Sequence, residues 1–326
     1  MEKRQFGNTD LFVSEVGFGA WAIGGGAMVG DTAIGWGEAD DQTSKNAIFK
    51  ALDKGINFFD TADIYGLGHS EELLGKTLGN REDVIIASKA GNVARSGQFG
   101  TDYSKDHILE ACDASLKRLR RETIDYYQLH TAHLSQLQQG ECIEAMQELQ
   151  QQGKIRYWGL SLNTYEPHSE AEYLMENKLG SGFQLVLNMI NQNALPLIKK
   201  ASKAGYGVIA RMPLQFGLLT GKFDKGAEFP ENDHRNKRLT LEVIDAYKKG
   251  MKDIWPICEK YGLTKTELAL SFILSLPEVS TVIPGIRTEE QAEKNTRNLI
   301  RLEEEDLQLI QNTDLDALMA IIIQQG

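Results

Sequence analysis

The feature that most constrains the fold is a regular alternation of short apolar segments with longer amphipathic ones. Eight apolar segments of strand length lie near residues 17, 58, 85, 126, 157, 185, 208 and 282, and helical patterns separate them. Strands that alternate with helices form parallel sheets covered by helices. Eight strand–helix units in 326 residues fit a closed barrel better than an open sheet. The sequence therefore predicts an α/β fold, a single (β/α)8 TIM barrel domain spanning residues 1–326.

Additional elements are predicted at both ends of this barrel. Residues 3–16 hold two strand-like pieces around Gly7-Asn8-Thr9-Asp10, which indicates an N-terminal β-hairpin. Extra C-terminal helices are predicted at residues 289–298 and 304–313, and residues 240–261 have the pattern of one long helix. Residue type predicts three helix N-caps, at Asp41, Ser70 and Ser104.

An alternative fold rests on the segment Gly17-Phe18-Gly19-Ala20-Trp21-Ala22. It matches the loose Gly-x-Gly-x-x-Gly/Ala dinucleotide fingerprint, and Asp40 and Asp41 follow about 20 residues later, as a ribose-binding acid would. The fingerprint must open a helix, however, and three consecutive glycines at 24–26 disfavour a first helical turn. A Rossmann fold is therefore the weaker prediction.

Composition and charge restrict the classes of function. The chain is 41% hydrophobic and 25% charged, and its formal net charge is -11. That charge disfavours a broad surface for nucleic acid or for an anionic membrane. Neither a signal peptide nor a run of about 18 apolar residues is found, so no membrane partner is expected. Three separated cysteines without a Cys-x-x-Cys pair favour a reduced, cytoplasmic protein without a zinc–thiolate site.

Polar side chains follow three successive predicted strands. Asp60 and Tyr65 follow the second strand, Lys89 the third and His130 the fourth. The C-terminal strand ends form the functional face of a (β/α)8 barrel, so the four side chains are expected to converge. Taken singly, each also has an ordinary structural explanation, such as a turn cap, a loop anchor, a solvated lysine or a core histidine.

Together these side chains suit the protonation of an alkoxide. The pKa of a phenol is ordinarily about 10, and a neighbouring ammonium is expected to lower the pKa of Tyr65. A buried Lys89 needs a carboxylate partner, which Asp60 supplies. An imidazole at position 130 can hydrogen-bond and orient a carbonyl oxygen.

Three motifs resemble the signatures of the aldo-keto reductase family: Asp-Thr-Ala-x-x-Tyr-Gly at 60–66, Ser-Lys at 88–89 and Gln-Leu-His at 128–130. The resemblance runs from the N-terminal hairpin to the helix after residue 289. It implies a (β/α)8 barrel that binds NADPH/NADP+ at its C-terminal mouth without a Rossmann fold. It also implies that Tyr65 donates the proton, that Lys89 and Asp60 tune it, and that His130 orients the substrate carbonyl.

The same resemblance implies a cofactor site in the second half of the chain. Ser161, Asn163 and Gln184 match the positions that hold the nicotinamide carboxamide, although Leu162 interrupts the usual Ser-Asn pair. Arg211 stands where the family usually presents a Tyr to stack on nicotinamide, as in an Arg-bearing, bacterial-type branch. The remaining positions are Trp21 at the mouth, Pro213, Leu214, Gly217, Leu219, Gly221 and Lys222 in the loop over the pyrophosphate, and Gly285, Arg287, Gln291 and Asn295 for the 2′-phosphate and adenine.

The sequence therefore predicts an NADPH-dependent oxidoreductase that reduces aldehydes or ketones, with Trp21, Tyr65 and His130 facing the carbonyl substrate. Two alternatives remain. One is an NADP(H)-binding redox sensor or regulatory subunit with little turnover. The other, less favoured, is a metal-dependent barrel hydrolase with Asp60, Asp63, His130 and His133 as ligands. No bound metal is expected. The protein is expected to be a monomer or a small homo-oligomer. Specificity is assigned to mouth loops at 24–37, 91–103 and 214–240.

Overall fold

The computed structural model describes residues 1–30, 32–35, 37, 39–223 and 238–325. In that part of the chain the strands are β1 (Lys3–Gln5), β2 (Phe12–Ser14), β3 (Phe18–Gly19), β4 (Met28–Val29), β5 (Thr32–Ala33), β6 (Phe58–Asp60), β7 (Ile85–Ala90), β8 (Asn92–Arg95), β9 (Gln98–Thr101), β10 (Ile124–His130), β11 (Ile155–Ser161), β12 (Gly182–Val186), β13 (Gly207–Arg211) and β14 (Thr281–Ile283).

The α-helices of the same residues are α1 (Asp41–Asp53), α2 (His69–Leu78), α3 (Lys105–Leu119), α4 (Leu134–Gln139), α5 (Glu141–Gln151), α6 (His168–Glu176), α7 (Leu195–Lys203), α8 (Leu241–Gly250), α9 (Pro256–Tyr261), α10 (Lys265–Leu274), α11 (Glu289–Lys294), α12 (Glu304–Asn312) and α13 (Asp316–Gln325). None of these helices is long and apolar enough to cross a membrane.

Eight of the described strands form the barrel that the sequence predicts. All neighbours are parallel, in the order β3-β6-β7-β10-β11-β12-β13-β14, and bridges from Val16 to Val282 and from Gly19 to Gly285 join the two ends. A Cβ on Gly19 would lie 2.9 Å from the Pro284 carbonyl oxygen, so this glycine serves the closure of the barrel. The (β/α)8 prediction is confirmed and the Rossmann alternative is wrong.

Strand alternation divides the core into two layers. In β6, β7 and β10, the side chains of Phe58, Ile85 and Tyr126 belong to the cluster inside the barrel. The side chains that follow them in sequence belong to the larger cluster between strands and helices. The N-terminal hairpin β1–β2 closes the bottom of the barrel with Phe6, whose ring occupies space that a Cβ on Gly182 or Gly207 would need. The predicted hairpin is thus a plug for the barrel.

Two of the three predicted N-caps are wrong in detail. The cap of α1 is Asp40, whose Oδ1 accepts from the Thr43 amide at 2.7 Å, and not Asp41. Helix α2 begins at His69, so Ser70 lies inside it and donates to the Ala20 carbonyl at 2.9 Å. Ser104 does hold the N-cap position of α3, but its side chain makes no capping hydrogen bond. Similar residue types lie side by side here, and only backbone geometry selects the cap.

The long helix predicted at 240–261 is interrupted. It splits into α8 and α9, which are separated by turns at residues 251–255. Pro256 occupies the first turn of the second helix, a position that tolerates proline because the amide there has no partner within the helix. Two hairpins, β4–β5 and β8–β9, and helices α4 and α13 were not predicted. Residues 31, 36 and 38 of the predicted mouth loop 24–37, residues 224–237 of the loop 214–240, and residue 326 lie outside the described residues.

Candidate active site

The strand parity that fills the barrel core also aims polar side chains at its C-terminal mouth. Asp60 lies two residues after the inward Phe58, and Lys89 lies four residues after the inward Ile85. Gln128 and His130 share the parity of Tyr126. The register pairs Gln128 with Lys89 and His130 with Ser161. The side chains at these successive strand ends therefore lie next to one another around the barrel mouth. We call Asp60, Lys89, Gln128 and His130, together with Tyr65, the polar ring.

A buried ion pair forms the centre of this ring. The ammonium Nζ of Lys89 lies 2.6 Å from Oδ1 of Asp60, and the side chains are 0% and 3% exposed. The same ammonium donates to the Thr61 carbonyl at 2.7 Å and to the Tyr65 hydroxyl oxygen at 3.4 Å. Three acceptors thus surround the ammonium, and one of them is the phenol.

Tyr65 is held by a tight turn. It begins the 3₁₀ segment Tyr65–Gly68, in which Gly66 has φ of 60°. A side chain at Gly66 would collide with the backbone of Gly24, so this glycine allows two loops to meet behind the tyrosine. The ring stacks on Trp21 with centroids 6.0 Å apart and meets the His130 ring edge-on at 5.9 Å.

Two glutamines, one of which the sequence analysis missed, complete the environment of Asp60. Its Oδ2 accepts from Nε2 of Gln184 at 2.6 Å and from Nε2 of Gln128 at 3.2 Å. These hydrogen bonds satisfy the second oxygen of a carboxylate that is almost fully buried. Gln128 could have been found, because it lies two residues before His130 and on the same face of β10.

Burial and neighbouring charges together set the protonation states of Lys89 and Tyr65. Burial lowers the pKa of Lys89, but the Asp60 carboxylate and the Tyr65 hydroxyl together outweigh that effect and leave the pKa raised, so the lysine is an ammonium. Burial raises the pKa of Tyr65, and the neighbouring ammonium only partly opposes it. The predicted lowering of the Tyr65 pKa is therefore wrong in its net direction. The phenol is protonated at neutral pH, as a proton donor must be.

His130 is neutral in this environment. Burial, together with the positive charges of Lys89 and Arg211, holds the pKa of His130 well below its usual range. Within the described part of the chain, its Nδ1 has no hydrogen-bond partner. A neutral imidazole suits hydrogen bonding to a substrate rather than charge pairing.

The lowered pKa of His130 predicts a pH dependence of stability. The unfolded chain binds a proton at this histidine below about pH 6.5, while the folded chain does not. The contribution of His130 to stability is therefore complete above about pH 6.5 and declines as the pH falls. Urea unfolding at pH 8 and pH 5 should show a larger loss for the wild type than for His130→Asn. Equal losses would contradict a neutral buried His130.

The polar ring opens into a cavity of about 880 Å³ that is bounded by described residues. The predicted site residues that line it are Trp21, Asp60, Tyr65, His130, Ser161, Gln184, Arg211, Pro213, Leu214, Gly217, Lys222, Gly285, Arg287 and Gln291. Lys89 does not line this cavity but contacts Asp60 and Tyr65, which do. One continuous cavity thus joins the polar ring to most of the predicted cofactor positions.

Four predicted cofactor residues do not line the cavity. The side-chain oxygen of Asn163 accepts from the amides of Tyr165 and Glu166 at 3.0 and 3.2 Å and caps that turn. Leu219 is fully buried, and Gly221 follows it without reaching the cavity surface. Asn295 is buried, and its Nδ2 lies 3.5 Å from the Gly285 carbonyl, so it supports the turn that carries Gly285.

Arg211 reaches the cavity from the end of β13. Its Nη2 donates to the Leu162 carbonyl at 3.0 Å and to the Thr164 hydroxyl at 3.1 Å. Its Nε has no hydrogen-bond partner among the described residues. These bonds fix the guanidinium plane beside the polar side chains of the strand ends, and burial lowers the pKa of Arg211.

The turn after β14 differs in part from the predicted anion site. Gly285 lines the cavity, and a Cβ added there would meet no atom within 4 Å, so the space in front of it is open. The Arg287 amide, however, donates to Oε1 of Gln291 at 2.7 Å, and the Gln291 amide donates to the Thr288 hydroxyl at 3.2 Å. Because side chains already accept hydrogen bonds from these two amides, the amides do not face the cavity as anion-binding groups. The Arg287 side chain is then the main group of the turn that could bind an anion.

The rest of the cavity wall was not predicted residue by residue. Eight of these lining residues fall in the predicted mouth loops or in the hairpin within them: Ile34, Asn92, Phe99, Gln215, Phe216, Thr220, Phe223 and Arg238. Seven lie elsewhere: Gly19, Ala22, Ile64, Thr131, Thr164, Met212 and Ile283. The proposed metal ligands do not assemble: the described residues hold no group of three His, Cys, Asp or Glu side chains placed to bind a metal ion.

Comparisons with known proteins agree with this geometry. A sequence model of the Aldo/keto reductase family matches residues 15–314. The chain is 34% identical to the uncharacterized oxidoreductase YqkF of Bacillus subtilis (strain 168), over 96% of each chain. It is 32% identical to the NADH-specific methylglyoxal reductase of Escherichia coli (strain K12), over 95% of this chain and 97% of the relative. The structure of the glycerol dehydrogenase AKR11B4 from Gluconobacter oxydans matches 98% of this chain and 95% of its own, with a TM-score of 0.80 and 28% identity.

Proposed function

The chain belongs to the aldo/keto reductase family of oxidoreductases, and from that premise we propose that it is an NADPH-dependent reductase of aldehydes or ketones with Tyr65 as the proton donor. The observation that carries the proposal is the position of the Tyr65 phenol. It lines the cavity, lies 3.4 Å from the Lys89 ammonium and meets the His130 ring edge-on.

The contacts of Tyr65 support its role as an acid. The Lys89 ammonium donates to the phenol oxygen, so the phenol hydrogen is directed to another acceptor. As Tyr65 gives up its proton to a substrate oxygen, the ammonium stabilises the phenolate that forms. Asp60 keeps Lys89 charged, and the neutral His130 can hold the carbonyl oxygen by a hydrogen bond.

The cavity residues fit a nicotinamide cofactor. The open space in front of Gly285 would accept a bulky group. The Nε of Arg211 is buried and has no hydrogen-bond partner among the described residues, as expected of a group that a ligand would contact. Ser161 and Gln184 would hold the nicotinamide end. Lys222 would face the pyrophosphate, while Gly285 and Arg287 would hold the 2′-phosphate. When bound, a reduced nicotinamide supplies the hydride that completes the reduction.

The preference for NADPH rests on Arg287 and is tested by its removal. Arg287→Ala should weaken NADPH binding by about 10- to 100-fold, because it removes a charge-assisted contact to a 2′-phosphate that NADH lacks. Binding of NADH should change less than about threefold. Fluorescence titration of both cofactors measures the two dissociation constants.

A matched control uses the helix that follows. Lys294→Ala removes a cation that pairs with Glu290 at 2.6 Å and does not line the cavity, so both cofactors should bind as in the wild type. Equal weakening of NADPH and NADH by Arg287→Ala would contradict the preference. One relative is named an NADH-specific enzyme, which makes this comparison decisive for the chain.

The function itself is tested by turnover. The purified protein should oxidise NADPH in the presence of a panel of aldehydes and ketones, at a rate that depends on the carbonyl concentration. Cofactor binding without turnover for every carbonyl in the panel would reject the reductase and favour the redox-sensor alternative. Failure to bind either nicotinamide cofactor would reject both functions.

A further inference from the structure

Tyr103 was not predicted as a site residue, yet it contacts the polar ring through the backbone of His130. It is 7% exposed and follows the hairpin β8–β9. Its hydroxyl donates to the carbonyl oxygen of His130 at 2.6 Å. This bond joins a mouth loop to the end of the strand that carries the histidine. Burial raises the pKa of Tyr103 above its usual value, so the phenol remains a donor.

The Tyr103 ring has a second contact, with the end of β7. A Cβ at Gly91 would collide with the ring, and Gly91 has φ of 119°, which favours glycine. The Asp102 amide donates to the Gly91 carbonyl at 2.8 Å and closes the base of the hairpin. Gly91 comes two residues after Lys89, so Tyr103 connects the strand ends that carry Lys89 and His130.

The backbone at His130 needs such support. Thr131, the next residue, has φ of 68°, a conformation that is costly for a β-branched side chain. The His130 ring gains no hydrogen bond at Nδ1 from the described residues, so the backbone and ring packing decide where the imidazole points. A small shift of the backbone would therefore move the imidazole relative to Tyr65.

We propose that Tyr103 is a positioning residue for the reductase reaction, which holds His130 in its productive orientation through the hydrogen bond to the His130 carbonyl. This inference rests on the proposed function. Tyr103 contacts neither the substrate nor the cofactor in this role. It places the group that holds the substrate carbonyl.

The first test removes only the hydroxyl. Tyr103→Phe should lower kcat for carbonyl reduction about tenfold and leave the dissociation constant of NADPH within about twofold, because the cofactor site is untouched. Tyr206→Phe is the matched control: Tyr206 is also buried and donates to backbone carbonyls, those of Leu174 and Leu179, at 3.2 and 3.1 Å, outside the cavity. Its kcat should equal that of the wild type.

The second test separates positioning from general stability. In a His130→Asn background, Tyr103→Phe should cost less than about twofold in kcat, because the group that Tyr103 positions is gone. A merely structural role would give the full loss in both backgrounds. All rates are measured at a temperature where circular dichroism shows each variant fully folded.

Two results would overturn the inference: additive losses in the double-mutant cycle, or a wild-type kcat for Tyr103→Phe. Both presuppose an active wild type, so they are distinct from failure of the proposed function. If the wild type itself reduces no carbonyl, the proposed function fails and the positioning role fails with it.

Discussion

Tyr65→Phe is expected to lower kcat for carbonyl reduction by about 10²- to 10⁴-fold, the range that a general acid contributes. The substitution removes only the hydroxyl that lies 3.4 Å from the Lys89 ammonium. The aromatic ring that stacks on Trp21 stays in place, so the cavity keeps its shape. Affinity for NADPH should therefore remain within about twofold of the wild type. Steady-state kinetics and cofactor titration measure the two effects.

A second tyrosine provides the control for this experiment. The Tyr157 hydroxyl donates to Asp10 at 3.0 Å, near the N-terminal hairpin that plugs the other end of the barrel. Tyr157→Phe removes a hydroxyl from the same barrel and should leave kcat unchanged. If Tyr65→Phe retained wild-type turnover, another group would have to supply the proton, and the assignment of Tyr65 would be wrong.

Asp60→Asn is expected to affect stability and catalysis together. The substitution leaves the fully buried Lys89 ammonium without its carboxylate, and breaking a buried pair in this way costs about 3–5 kcal/mol. It also removes the charge that holds up the pKa of Lys89, so less positive charge stabilises the Tyr65 phenolate. Urea unfolding should show the destabilisation, and kcat should fall about 10²-fold or more.

The pH dependence of this variant has a definite sign. Without the carboxylate, burial lowers the pKa of Lys89, while the unfolded chain keeps its ordinary value of about 10.4. Between these two pKa values the unfolded state binds more protons, so the stability contribution of Lys89 rises with pH. The stability gap between Asp60→Asn and the wild type should therefore be smaller at pH 9 than at pH 7.

Asp125→Asn is the matched control for the ion pair. Asp125 lies at the start of β10, pairs with Arg156 at 3.0 Å and Arg121 at 3.5 Å, and accepts from the Ile86 amide at 2.9 Å. Its replacement should lower stability and leave kcat unchanged. If Asp60→Asn behaved in the same way, Asp60 would be a structural residue only.

The two halves of the site are separated in sequence and are joined by side chains that meet across the interior of the barrel. Asp60 and Gln184 come from β6 and β12, yet Gln184 donates to Asp60 at 2.6 Å inside the barrel. A residue predicted to contact the cofactor thus also holds the Asp60 carboxylate.

The convergence of the polar strand-end side chains was predictable because it follows from local patterns. The eight apolar segments predicted the barrel, and period-two alternation makes Asp60, Lys89 and His130 face inward once Phe58, Ile85 and Tyr126 do. The polar residue that ends each strand then lies at the functional face. Short-range periodicity carries this information, so no knowledge of loops was needed.

The loops, the caps and the charge balance were decided by the tertiary structure. Whether Asn163 reaches the cavity depends on which amides its side chain meets, and it caps the turn at Tyr165 instead. The direction of the Tyr65 pKa depends on how burial weighs against the Lys89 charge, which sequence spacing does not contain. The contact of Tyr103 with His130 joins residues from different strand–helix units. Periodicity in the sequence thus determined the barrel and its ring of polar strand ends, whereas long-range packing decided protonation, loop contacts and support, because these depend on distances between segments far apart in the chain.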